Sequence, residues 1–197
     1  MLKRLSLSAL FLLSAGAPAF AHLNPAEHGS FSAGFSHPLF GADHILAMVA
    51  VGLWAWMIGG RAIRIVPAAF VGTMLFGFVL ALVGVPLPFV EPAILASVVA
   101  LGLLVAVAAK LPVLPAAVIV GVFALFHGHA HGGELGSAGA LGYAAGFAIA
   151  TAALHAVGLG FGFVLGKVFG TDARHADLVA RLLGGLTAAG GLYLIAG

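Results

Sequence analysis

The chain has 197 residues, 62% of them hydrophobic and only 7% charged, with a mean hydropathy of +1.20. A soluble domain carries about 25% charged residues, so no water-facing surface can be assembled from this composition. The absence of a basic stripe excludes nucleic-acid binding, and the absence of cysteine excludes disulfides and thiolate metal sites. The expectation is an all-α integral membrane protein in a lipid bilayer, with length for six spans of about 20 residues.

At the N-terminus, Lys3 and Arg4 precede a short apolar run over 5–13, and Ala19-Phe20-Ala21 supplies small residues at cleavage spacing. This pattern reads as a secretory signal peptide over residues 1–21, with an uncleaved anchor as the alternative. The mature domain is then 22–197, and its first residue, His22, emerges on the far side of the membrane. Lys3 and Arg4 are two of eight basic residues, and the rest balance the 6 acidic ones.

Apolar runs broken by Gly, Pro and charge mark six spans near 36–58, 65–85, 92–109, 113–128, 138–164 and 178–196. Arg61 and Arg64, then Lys110, then Lys167, Arg174 and Arg181 all fall at connections on one side. The positive-inside rule makes that side cytoplasmic, which leaves both mature termini periplasmic in a bacterial inner membrane. Trp54 and Trp56 are expected in the aromatic belt at the inner end of the first span. Gly142/Gly146 and Gly158/Gly162/Gly166/Gly170 have the spacing of small-residue ridges that let helices approach closely.

Nine histidines against so few charges are the informative feature. The first cluster, His37-Pro-Leu-Phe-Gly-Ala-Asp43-His44, enters the first span. A straight helix would put His37 and His44 on one face and Asp43 about 10 Å below the outer surface. An ionisable group inside a span marks a functional site, here a ligand or a carboxylate that orients His44. A structural Asp–His hydrogen bond is the alternative. Pro38 and Gly41 are placed to loosen the first turn.

The second cluster, His127-Gly-His129-Ala-His131-Gly-Gly-Glu134, ends the fourth span. Three imidazoles and a carboxylate suit a borderline divalent ion such as nickel, cobalt, copper or zinc. The Gly and Ala residues between them are expected to let the chain bend so that the rings converge; a histidine-rich polar loop is the alternative. His155 lies deep in the fifth span, as a ligand or an interhelical hydrogen-bonding group. His22 with its free α-amine adds a chelating start.

His37-Pro-Leu-x-Gly-x-Asp43-His44-x-Leu-Ala-Met48, followed by Phe126-His-Gly-x-Ala-His-Gly-x-Glu134 and His155, resembles the HupE/UreJ family across essentially the whole chain. The resemblance implies a small bacterial permease for nickel or cobalt, tied to hydrogenase and urease maturation. It implies metal roles for His37, Asp43, His44, His127, His131 and Glu134, and carries His129 and His155 as further candidates. A related signature in the larger nickel/cobalt transporters is His-x4-Asp-His; here the spacing is one residue longer, so that geometry does not transfer.

The expectation is a non-enzymatic secondary transporter that imports Ni2+ or Co2+, with the ion as cargo and no resident cofactor. The alternative is a non-transporting metal sensor or accessory protein that serves hydrogenase or urease maturation proteins. An intramembrane metalloenzyme would want arrays such as H-E-x-x-H, and none occurs. The reading is compatible with a homo-oligomer.

Overall fold

The computed structural model describes residues 30–135, 139–170 and 173–197. The expected signal peptide and His22 lie outside the described residues, and so does the side chain of Glu134. Seven helices are described: α1 (Phe31–Phe40), α2 (Ala42–Ile58), α3 (Ala62–Leu82), α4 (Val90–Ala106), α5 (Val113–Leu135), α6 (Ala140–Phe169) and α7 (Ala173–Ala196). No strand occurs among the described residues.

Four helices, α3, α5, α6 and α7, are long and apolar enough to cross a bilayer, and α1 with α2 makes a fifth, bent unit. The sixth expected span rests on α4. Its 17 residues rise about 25 Å against a hydrocarbon core of about 30 Å.

The first span is not one straight helix. α1 and α2 meet at 82° across Gly41, whose extended backbone (φ −82°, ψ 116°) breaks the helical path. Ser30 starts α1 by accepting a hydrogen bond from the Ala33 amide at 3.0 Å, which satisfies one of the orphan donors of the first turn. Pro38 near its end lacks an N–H.

The fourth span also differs from the sequence expectation. α5 continues through the histidine-rich segment to Leu135 instead of bending there. Gly128 and Gly132 sit inside it because the α3 backbone at Met74 and Phe78 occupies the space a Cβ would need.

Close backbone approach organises the bundle. Gly52 on α2 lies against the backbone of His155 on α6, and Gly158 on α6 lies against Val49 and Leu53 on α2. α6 is used this way a second time, about three turns earlier, where Gly146 receives the backbone of α1 at Phe31 and Phe35. Gly102 and Gly184 do the same between α4 and α7. Lipid tails provide no hydrophobic drive between helices, so such van der Waals contact is what holds them together. Gly162 and Gly166 instead receive the ring of Trp56, and Gly170 ends α6 at φ +54°.

The expected aromatic belt is only partly realised. Trp54 is fully buried and its Nε1 donates to the Ala109 carbonyl at 2.8 Å, tying α2 to the α4–α5 connection. An indole inside the bundle needs such an acceptor. The same end holds a cavity of about 480 Å³ lined by Trp56, Met57, Lys110, Gly166, Arg174 and Asp177.

Candidate metal centre

The histidines gather at the opposite end, where the break at Gly41 decides the geometry. His37 stands in the last turn of α1 and His44 in the first turn of α2. Seven residues apart on a straight helix, they would lie two turns apart along one face. The 82° bend folds them together instead, with ring centroids 5.1 Å apart. A side chain at position 41 would meet Asp43 Oδ1 and His44 Nδ1, each at 2.9 Å, so glycine leaves room for this pair to curl over the bend.

α5 brings His131 into the same place. Its ring centroid is 4.2 Å from that of His37 and 5.0 Å from that of His44. His37, His44 and His131 each offer a ring nitrogen, and the three lie within 4.8 Å of one another. His44 Nε2 and His131 Nε2 are 2.9 Å apart. Two nitrogens about 2.1 Å from one ion and at right angles are about 3.0 Å apart, so this pair already has the spacing of adjacent ligands.

Asp43 lies behind His44. Its Oδ1 is 3.0 Å from His44 Nδ1, and its side chain is 26% exposed. A carboxylate there favours the ring proton on Nδ1 and leaves Nε2 as a lone pair. With that tautomer, His131 Nε2 donates to His44 Nε2. Asp43 itself stands in the first turn of α2, just after the 82° bend, rather than within a straight helix.

The remaining candidates separate by helical phase. His127, one turn before His131, is fully buried, and its Nδ1 donates to the Phe123 carbonyl at 2.9 Å. Its ring lies 5.4 Å from that of His44. His129, about 200° around the helix from His127, donates from Nε2 to the Val85 carbonyl at 2.8 Å and braces the α3–α4 connection. The structure does not bring it to the other rings. His155 is buried on α6, 5.0 Å from the Phe70 ring. Glu134 belongs to the last turn of α5.

Sequence reasoning passed over the aromatic wall. Phe147 on α6 is fully buried and sits 4.9 Å from His131, 6.1 Å from His44 and 6.3 Å from His37. Tyr143, one turn earlier, lies 6.4 Å from His37 and stacks on Phe78. These rings cover one side of the cluster. The spacing of Tyr143, Phe147, Thr151 and His155 at every fourth position was the signal available, since it puts all four along one side of a helix.

Comparison with known proteins assigns the chain to a family. The chain matches the family described as HupE / UreJ protein over residues 10–194. It is 48% identical over 182 residues to Protein HupE of Rhizobium leguminosarum bv. viciae, covering 91% of this chain and 92% of that protein. No solved structure matches it. With the match running through both histidine motifs and nearly the whole length, the chain belongs to the HupE/UreJ family.

Proposed function

We propose that this protein is a six-span secondary permease that imports Ni2+, or Co2+, from the periplasm for maturation of metalloenzymes such as hydrogenase or urease. The observation that carries the reading is the convergence of His37, His44 and His131, from three different helices, within 4.8 Å of one another. Neutral imidazoles suit borderline divalent ions and discriminate against magnesium and calcium, which prefer oxygen. Between the two cargoes, imidazole sites bind nickel more tightly than cobalt. Asp43 compensates part of the ion's charge, and the aromatic wall keeps the site dry enough for partial dehydration.

The cluster lies at the end of the bundle away from Lys110 and Arg174, which the positive-inside rule makes the periplasmic end. A divalent cation moving inward gains about 4.6 kcal/mol per 100 mV of membrane potential, so import needs no nucleotide-binding site. The test is initial-rate uptake of radioactive nickel by proteoliposomes containing the purified protein and carrying an inside-negative potential. Uptake above protein-free vesicles that is lost in His131→Ala supports the permease. Tight nickel binding with no uptake would leave the accessory reading instead.

A further inference from the structure

Below the three-histidine cluster lie two imidazoles that between them carry three buried ring nitrogens with no hydrogen-bond partner, His127 Nε2 and both nitrogens of His155. His127 is fully buried, and with Nδ1 donating to Phe123 its Nε2 is left as a lone pair facing no hydrogen-bond partner. His155 is 1% exposed, and neither of its ring nitrogens is hydrogen-bonded. A neutral imidazole always carries one N–H and one lone pair. Burying such a group unsatisfied costs about 1–3 kcal/mol, and packing alone would be served as well by Leu or Phe. A buried polar group left open in this way points to a ligand that occupies it part of the time.

The position of these rings is continuous with the outer cluster. His127 is 5.4 Å from His44 on one side and 5.6 Å from Phe70 on the other, and Phe70 is 5.0 Å from His155. Phe70 thus presents its ring to both imidazoles. Along α6, His155 stands two turns beyond Phe147, about 12 Å further toward the other end of the bundle. At the intervening turn Thr151 donates to Met74 Sδ at 3.6 Å. Among the described residues no carboxylate pairs with either ring.

We infer that His127 and His155 form a second, deeper cation site, two neutral imidazoles against Phe70, through which a borderline divalent ion passes after leaving His37, His44 and His131. The inference rests on the import reading above and adds a second station with different chemistry. The outer site has a carboxylate behind one of its ligands. Among the described residues the deeper site has no carboxylate in contact with either ring, and a poorly compensated divalent charge in a low-dielectric interior is held weakly. The deeper site is therefore one of transit, whereas the outer site sets the equilibrium affinity. Repulsion between two divalent ions this close makes occupation of the two sites alternate.

The experiment uses the full-length protein in two assays, equilibrium nickel binding by calorimetry and initial uptake in proteoliposomes. His155→Leu fills the same apolar space without a donor, and His155→Met fills it with a thioether donor. Expected for His155→Leu is unchanged nickel affinity, which also reports an intact fold. Its uptake is expected to fall about tenfold or more, the scale on which a single group of a metal site acts. His155→Met should retain more uptake than His155→Leu. Wild-type uptake in His155→Leu overturns the second site, because His155 then holds at most a water. Equal losses in the Leu and Met variants also overturn it. Loss of equilibrium affinity as large as in His131→Ala would merge the two sites into one, and overturn it too. A wild type that takes up no nickel overturns the import reading and this inference together.

Discussion

Replacing Asp43 by Asn isolates charge from shape at the outer site. The carboxylate is 3.0 Å from His44 Nδ1, so an ion bound about 2 Å from Nε2 would lie about 7 Å from Oδ1. At an effective dielectric of about 20, charges of −1 and +2 at about 7 Å attract by about 5 kcal/mol. The side chain is 26% exposed, so solvent screens a good part of that attraction. Groups that orient a metal-bound histidine account for a factor of about 10–100 in affinity or activity, which corresponds to about 1.4–2.7 kcal/mol. Asp43→Asn is therefore expected to weaken nickel binding and lower uptake by about 10–100-fold at unchanged membrane abundance. The assay is uptake normalised to the amount of protein in the membrane. His175→Ala serves as the control, since that exposed ring stacks on Phe169 in the first turns after the α6–α7 connection, far along the chain from the cluster. Near-normal normalised uptake in Asp43→Asn would refute the electrostatic reasoning and reduce Asp43 to a packing partner of His44.

Gly41→Ala places a methyl group 2.9 Å from both Asp43 Oδ1 and His44 Nδ1; it should displace that pair and reduce nickel affinity while the protein still accumulates, and wild-type affinity would show that the bend tolerates a side chain. Gly158→Leu drives a side chain into the α2 backbone at Val49 and Leu53, so a loss of about 1–3 kcal/mol or more is expected, read as a lower melting temperature in detergent. His129→Ala removes the bond to Val85 at a cost of about 0.5–1.5 kcal/mol in stability. It should keep most nickel uptake, and a collapse to the level of His131→Ala would place His129 among the ligands.

Composition alone determined that this chain is helical and belongs in a bilayer, because so few charges leave no other solvent for it. The breaks at Gly, Pro and basic residues marked where helices end, and the two histidine motifs supplied the candidate ligands, of which His37, His44 and His131 converge. What the sequence could not specify is how those helices face one another. Periodicity assigns residues to a face of a helix, but the partner of that face depends on close approaches such as Gly52 to His155 and Gly158 to Val49, which join segments about a hundred residues apart. Straight-helix geometry misplaced His37, His44 and Asp43, because the chain turns by 82° at Gly41 and α1 packs against α6 through Gly34 and Gly146. The expectation of a bend in the second motif failed for the opposite reason. Gly128 and Gly132 serve contact with α3, so α5 stays helical, and 100° per residue turns His127 and His131 inward while sending His129 to Val85. Trp54 was assigned to the membrane surface by its place near a helix end; only the fold supplied the Ala109 carbonyl that lets its indole N–H be buried.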